Sequence, residues 1–188
     1  MQALDRYYTG YEADGGPWPQ VQDNCALCHG VGGQPSNGQY AALAGQPAAY
    51  IQAQLHAFAA GRRHSPQMQP LAANLDDAQI QSLAEYFTRQ RPVITEPPKR
   101  DEPLARQGQA TITARGCSAC HGQDLSGSPL GPRIAGQGEA YLRDQLKAFR
   151  HGTRQDPTQA MNAMASLLSE RDIQATAHYL ASLPPAGR

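Results

Sequence analysis

The sequence has no long apolar run, few aromatic residues and no net charge. No stretch of about 18 consecutive apolar residues occurs, so the sequence predicts no membrane-spanning helix. Aromatic residues make up 6% of the 188 residues, and the mean hydropathy is -0.58. A chain of this length forms one large or two small domains, yet its apolar content is low for two independent cores. We therefore expect a bulky prosthetic group to supply part of each core.

Cysteine is scarce, and all four cysteines belong to two copies of one pattern. Cys25–His29 and Cys117–His121 both read C-x-x-C-H. Two thiols three positions apart on one helical turn can reach both vinyl groups of one porphyrin, and the following histidine binds the iron through Nε2. The sequence therefore predicts two covalently bound haem c groups. The attachment residues are Cys25, Cys28, Cys117 and Cys120, and the proximal ligands are His29 and His121.

Two other uses of a C-x-x-C pair fit this sequence less well. A zinc site would need two further cysteine or histidine ligands close to each pair, but the two pairs lie 92 positions apart. A thioredoxin-like redox pair would lie in a βαβ pattern, and no such pattern surrounds either copy.

The chain opens at Met1 without the basic, apolar and small-residue segments of a signal peptide. Bacteria attach haem c on the outer side of the inner membrane. We therefore expect a periplasmic protein from which an export signal has been removed.

The two halves of the sequence repeat each other. Leu43–Gln46 matches Ile134–Gln137 at an offset of 91 positions, and the offset becomes 93 positions further along the chain. Such a period indicates a duplicated domain. The matched pairs include Tyr50 and Tyr141, Gln54 and Gln145, Phe58 and Phe149, Arg63 and Arg154, and Met68 and Met161.

The sequence predicts an all-α fold of two tandem domains. Residues 1–90 are assigned to the first domain, 91–102 to a proline-rich linker and 103–188 to the second domain. Residues 1–16 are assigned to an N-terminal extension outside the repeat, and Pro17 and Pro19 limit any helix before Cys25 to one or two turns. Apolar periodicity and end signals predict five further helices. They span 47–60, 77–90, 104–115, 139–151 and 170–182, with Asp76 and Ser169 as N-caps, and Ser169 with Asp172 resembles a capping box.

Methionine is also scarce. Met68 lies 39 residues after His29, and Met161 lies 40 residues after His121, each in a predicted loop between two helices. Matched positions favour these two thioethers as the second axial ligands over ordinary core packing. The rival Met164 aligns with Leu71. Four further histidines lack a counterpart histidine in the other half, which weakens them as ligands: His56, His64, His151 and His178.

These features together resemble the dihaem cytochrome c4 family over about residues 16–183. The resemblance rests on the two C-x-x-C-H sites, the Ala-Gly-Gln motif with its following Tyr and Gln-Leu, the Gly-x-Arg after the middle helix, and the matched methionines. It implies two class I cytochrome c domains related by pseudo-twofold symmetry, with His/Met ligation of both irons. It also implies a periplasmic electron carrier, not an enzyme, between quinol-oxidising membrane complexes and terminal oxidases or other reductases.

The first copy departs from this family at one position. The family has a proline before the Ala-Gly-Gln motif, whose carbonyl accepts a hydrogen bond from the proximal histidine. The second copy keeps it as Pro132, whereas the first has Ala41. An alanine carbonyl can accept the same bond, but we expect a looser loop there.

Two other functions stay open at this point. The chain could be a dedicated electron-accepting subunit or partner of one periplasmic dehydrogenase. It could also be a dihaem redox enzyme, although that would require an open iron or an unusual ligand such as cysteine. The expected partners are redox proteins, not nucleic acid, and peripheral association with a membrane is left open.

The two halves of the chain carry net charges of opposite sign. Residues 1–96 carry five Arg and no Lys against eight acidic residues, and 97–188 carry eleven basic against eight acidic residues, giving net charges of -3 and +3. We expect this difference to favour docking of the two domains and to orient a redox partner. Arg63 and Arg154 are predicted to contact a haem propionate or the facing domain.

Overall fold

The computed structural model describes residues 20–94, 97–99 and 101–185, and within these ranges the chain is helical and has no β-strand. Among the described residues, no helix combines the length and apolar character needed to cross a bilayer. The predictions for residues 1–16 and for Pro17 and Pro19 fall outside the described residues.

In the first half, the last helix begins at a capping box. The Asp76 carboxylate accepts a hydrogen bond from the Gln79 backbone N–H at 2.8 Å, and the Gln79 side chain accepts one from the Asp76 N–H at 3.1 Å. A short 3-10 turn spans Val31–Gly33. The α-helices described in this half are α1 (Asp23–His29), α2 (Ala48–Ala59), α3 (Met68–Ala73) and α4 (Asp77–Arg89).

In the second half, the predicted capping box at Ser169 and Asp172 is confirmed, with Asp in the place of the usual Glu. The first helix of this half begins at Glu102, two residues before the predicted start, because the Asp101 side chain accepts a hydrogen bond from the Leu104 N–H. The α-helices described here are α5 (Glu102–Arg115), α6 (Ser118–His121), α7 (Glu139–Arg150), α8 (Ala160–Ser166) and α9 (Glu170–Ser182).

One prediction about the methionines is wrong. Met68 and Met161 do not lie in loops, because each lies in the first turn of a short helix, α3 or α8. Side chains satisfy free N–H groups at both helix starts, which lets such short helices form. The Ser65 hydroxyl accepts from the Met68 N–H at 3.2 Å, and the Asp156 carboxylate accepts from the Ala160 N–H at 3.0 Å.

Each half has its own small apolar core, as two domains require. The first cluster lies between α2 and α4, and the partly buried Cys25 packs against it. The second cluster lies mainly between α5, α7 and α9, and the partly buried Cys117 packs against it. The first consists of Ile51, Leu83, Ala84 and Phe87, and the second of Ile112, Leu125, Ala135, Leu142, Ala177, Leu180 and Ala181.

Helices α5 and α9 approach each other closely at Gly108. A Cβ atom at this position would lie 2.1 Å from the Ala175 carbonyl oxygen and 2.6 Å from the Tyr179 Cβ. The contact requires glycine, because any larger residue would push the two helices apart.

Candidate haem sites and the interface between the halves

The C-x-x-C-H stretches present free thiols from short helices. None of the four cysteines forms a disulfide, and Cys25 and Cys117 are partly buried whereas Cys28 and Cys120 are exposed. Burial raises the pKa of Cys25 to about 11, with a further contribution from Asp23. Before haem is attached, this thiol is therefore neutral at pH 7. Each motif has one sulfur atom packed against its core and one at the surface.

Both proximal-ligand candidates are held by a backbone carbonyl. His29 Nδ1 donates to the Ala41 carbonyl at 2.8 Å, and His121 Nδ1 donates to the Pro132 carbonyl at 2.8 Å. A proton on Nδ1 places the imidazole lone pair on Nε2, the atom that would bind iron. Burial lowers the pKa of both histidines, which keeps both imidazoles neutral. The expectation that the Ala41 carbonyl replaces the proline carbonyl as acceptor is confirmed. The His29–Ala41 bond and the His121–Pro132 bond have the same length.

A glycine turns the chain away after each motif. Gly30 has φ of +72° and Gly122 has φ of +86°. A Cβ atom at Gly30 would lie 1.8 Å from the Gln34 carbonyl oxygen. Only glycine fits this left-handed turn, which brings the chain back toward the carbonyl that orients the histidine.

The candidate methionine ligands are half-buried, and two of the alternative histidine ligands have other partners. Met68 and Met161 are half-buried, as is Met164 one turn further along α8. Two of the rival histidines have other partners: His56 lies 3.8 Å from the Asp77 carboxylate, and the buried His178 lies 3.4 Å from that of Glu139.

The residues present fit a covalently bound porphyrin. Free thiol pairs, neutral imidazoles with the lone pair on Nε2 and small cores beside each motif are what the group requires. Two buried side-chain atoms, Arg133 Nε and Thr176 Oγ1, have no hydrogen-bond partner within the described residues, and haem propionates are suitable acceptors for such donors. In the part of the chain that the structure describes, no group of three or more His, Cys, Asp or Glu could hold a metal ion by itself.

The Ala-Gly-Gln motifs join the two halves. The Gln46 amide donates to the Arg133 carbonyl at 2.9 Å and accepts from the Arg133 N–H at 3.0 Å. The Gln137 amide donates to the Ala42 carbonyl at 2.7 Å and accepts from the Ala42 N–H at 2.9 Å. Ala42 and Arg133 occupy equivalent positions in the repeat. The two contacts, which we call the glutamine clasps, are therefore reciprocal, as pseudo-twofold symmetry requires.

Arg133 adds an asymmetric contact to this region. Its side chain is 1% exposed and donates to the carbonyls of Ala135 at 2.6 Å, Ala42 at 3.2 Å and Ala44 at 3.0 Å. Burial lowers the pKa of Arg133 to about 10, so the guanidinium stays charged at pH 7. Because the equivalent residue is Ala42, only the second half contributes such a charge.

A second reciprocal cluster surrounds the two arginines predicted from the repeat. Arg63 donates to Tyr141 at 3.2 Å and Gln145 at 2.9 Å, and Arg154 donates to Tyr50 and Gln54, both at 3.0 Å. Each guanidinium also lies over a phenylalanine of its own half.

The predicted contact of both arginines with the facing domain is confirmed, whereas pairing with a propionate stays a prediction. The bonds described at this interface use guanidinium groups, phenols, amides and carbonyls. They depend on these specific groups, not on the net charges of -3 and +3 alone.

Gln46 and Gln137 are the functional residues that sequence reasoning missed. The repeat marked them as matched positions, but their role went unrecognised. The available signal was a polar residue repeated inside an apolar motif, since both side chains are buried. A buried amide requires hydrogen-bond partners. Those partners lie in the other half, about 90 positions away in the sequence.

Models of known protein families match both halves of the chain. A family model described as cytochrome c matches residues 105–184. A second, described as cytochrome c oxidase, cbb3-type, subunit III, matches residues 17–87. Together they assign a cytochrome c domain to each half.

Relatives match both halves at once. A thiosulfate dehydrogenase electron acceptor of Thiomonas intermedia is 34% identical, over 88% of this chain and 81% of the relative. Cytochrome c4 of Pseudomonas aeruginosa is 32% identical, over 85% of this chain and 83% of the relative.

A solved structure matches the whole arrangement. Reduced recombinant cytochrome c4 from Pseudomonas stutzeri superposes with a TM-score of 0.78 at 30% identity, over 86% of this chain and 94% of that chain. With two cytochrome c domains and two C-x-x-C-H motifs, the protein carries two covalently bound haem c groups. The chain therefore belongs to the cytochrome c4 family of dihaem electron-transfer proteins.

Proposed function

We propose that each haem is attached through the two cysteines of its motif and that its iron is held by one histidine and one methionine. The observation that supports this most is the matched hydrogen bond of His29 and His121, which presents Nε2 in both halves. The proposed attachment residues are Cys25, Cys28, Cys117 and Cys120, and the proposed ligand pairs are His29 with Met68 and His121 with Met161.

When bound, each haem supplies a one-electron ferric/ferrous couple. The protein orients both imidazoles and keeps them neutral, and the Met68 and Met161 thioethers would be the second protein ligands of the two irons. A soft sulfur ligand favours ferrous iron, so both sites would have comparatively high potentials. With two protein ligands on each iron, small molecules would have no coordination site. The chain therefore acts as a carrier and not as an enzyme.

The electron route we propose is periplasmic, because bacterial attachment to C-x-x-C-H occurs outside the inner membrane. Electrons enter from a quinol-oxidising complex or a dehydrogenase and leave to a terminal oxidase or reductase. A dedicated dehydrogenase partnership is the second candidate, and it is favoured by the relative named as a thiosulfate dehydrogenase electron acceptor.

Stopped-flow reduction of the haem-loaded chain separates these routes. A shuttle is reduced by both a quinol-oxidising complex and thiosulfate dehydrogenase supplied with thiosulfate, and it elutes alone in gel filtration with either protein. Fast reduction by the dehydrogenase alone, with co-elution, would establish the dedicated partnership. Reduction by neither protein would contradict both routes.

We also propose domain bounds of 1–90 and 103–188 with a linker at 91–102. The separate cores support this division, and 91–94 and 97–99 carry no regular secondary structure. Limited proteolysis should cut first within 91–102. The glutamine clasps and the hydrogen bonds of Arg63 and Arg154 join the halves independently of the linker. The two fragments should therefore elute together under native conditions.

A further inference from the structure

One peptide group in the first half contacts both a proximal histidine and the other half. The Ala41 carbonyl accepts from His29 Nδ1 at 2.8 Å. The N–H of the same peptide group belongs to Ala42, and it donates to Gln137 Oε1 at 2.9 Å. Three groups therefore form a continuous hydrogen-bonded chain from Gln137 through a single amide to the His29 imidazole.

The second half repeats this arrangement in the opposite direction. The Pro132 carbonyl accepts from His121 Nδ1 at 2.8 Å. The N–H of that peptide group belongs to Arg133, and it donates to Gln46 Oε1 at 3.0 Å. Each glutamine thus contacts the peptide group that orients the proximal histidine of the opposite half.

An amide that donates through its N–H becomes a better acceptor through its carbonyl, because the two hydrogen bonds polarise the group in the same direction. Such cooperativity strengthens each bond by roughly 10–30% in condensed-phase estimates. The glutamine side chains are 3% and 4% exposed, so water does not screen this polarisation. A stronger acceptor at Nδ1–H makes the imidazole more electron-rich at Nε2.

We propose that Gln137 and Gln46 are positioning residues that set the donor strength of His29 and His121 across the domain interface. The proposal rests on the axial roles given to these histidines above. It makes the potential of each haem depend on a residue of the opposite half. The electron-rich imidazole stabilises ferric iron, so loss of a glutamine should raise the potential of the opposite haem.

The test uses the full haem-loaded chain with Gln137→Leu and, separately, Gln46→Leu. Midpoint potentials are measured for each haem, with NMR signals of the haem methyl groups to distinguish the two sites. Gln137→Leu should raise the potential of the haem on Cys25 and Cys28 more than the potential of the haem on Cys117 and Cys120. Gln46→Leu should raise the potential of the haem on Cys117 and Cys120.

Gln54→Leu and Gln145→Leu are the matched controls. These glutamines bond to the Arg63 and Arg154 guanidinium groups at the same interface, and they give the same change of residue type. They should not shift the potential of the haem in the opposite half, a change that we call a crossed shift. If the controls give the same crossed shift, general loosening of the interface explains it and the proposal is overturned. Shifts confined to the substituted half, or no shift, overturn it as well.

A second measurement does not depend on the potential. Hydrogen exchange at Nδ1 of His29 should accelerate in Gln137→Leu, while exchange at His121 stays unchanged. If a leucine variant does not fold, Gln137→Asn and Gln46→Asn remove the reach of the side chain but keep its polarity, with the same expected crossed pattern. Absence of histidine ligation in the wild-type spectrum would instead count against the proposed function.

Discussion

At the residue scale, the proposed function depends on the thioethers of Met68 and Met161 as iron ligands. Both lie in the first turn of a short helix, half-buried and at matched points of the two halves. A methionine that ligates ferric haem gives a weak sulfur-to-iron band in the far red. Met68→Leu and Met161→Leu should each halve this band in the oxidised protein.

Met164→Leu is the matched control for Met161→Leu, because both residues lie on α8. It should leave the far-red band unchanged. If Met164→Leu halves the band and Met161→Leu leaves it intact, the repeat has been misaligned and Met164 is the ligand.

The sequence predicted the cysteines and histidines because their chemistry depends on local spacing. Five consecutive residues contain the attachment pattern, and the second copy repeats it. The partners of Gln46 and Gln137 could not be predicted in this way, since a buried amide shows that partners exist but not which ones. The carbonyl of Ala41 was predicted correctly because backbone acceptors do not depend on the side chain.

At the element scale, the longer helices were predictable and the short ones were not. Helices α2, α4, α7 and α9 have apolar periodicity, and their observed ends lie within a residue or so of the predicted ones. Helices α4 and α9 also begin at capping boxes. Helices α3 and α8 have only six and seven residues, and the side chains of Ser65 and Asp156 accept hydrogen bonds from N–H groups at their starts. Their sequences are too short to show a helical period.

The crossing of α5 and α9 gives a prediction for Gly108. On an exposed helix, Gly→Ala usually stabilises by about 1 kcal/mol. At this crossing the new methyl group would collide with the Ala175 carbonyl oxygen, so Gly108→Ala should destabilise the protein by about 1–3 kcal/mol. Chemical denaturation of the haem-loaded protein measures the free energy of unfolding.

Gln109→Ala, at the exposed neighbouring position of α5, is the control and should change stability by less than about 0.5 kcal/mol. A Gly108→Ala variant as stable as the wild type would show that the helices do not cross at this point.

At the scale of the whole molecule, duplication produced two sites in unequal surroundings. The first half carries a net charge of -3 and the second half a net charge of +3. Negative charge stabilises ferric iron and positive charge destabilises it. The haem on Cys25 and Cys28 should therefore have the lower potential.

A redox titration of the wild type and the two Met→Leu variants tests this order. Met68→Leu should move the lower-potential step and Met161→Leu the higher one. The reverse assignment would show that local hydrogen bonding outweighs the charge difference between the halves.

We propose that both haems have methionine ligands and that both carry electrons. A coulometric reduction of the haem-loaded chain, followed at the far-red sulfur-to-iron band, tests it most directly. The band should fall as electrons are added and should disappear at two electrons per chain. A band that disappears after one electron, or is absent from the oxidised protein, would contradict paired His/Met sites.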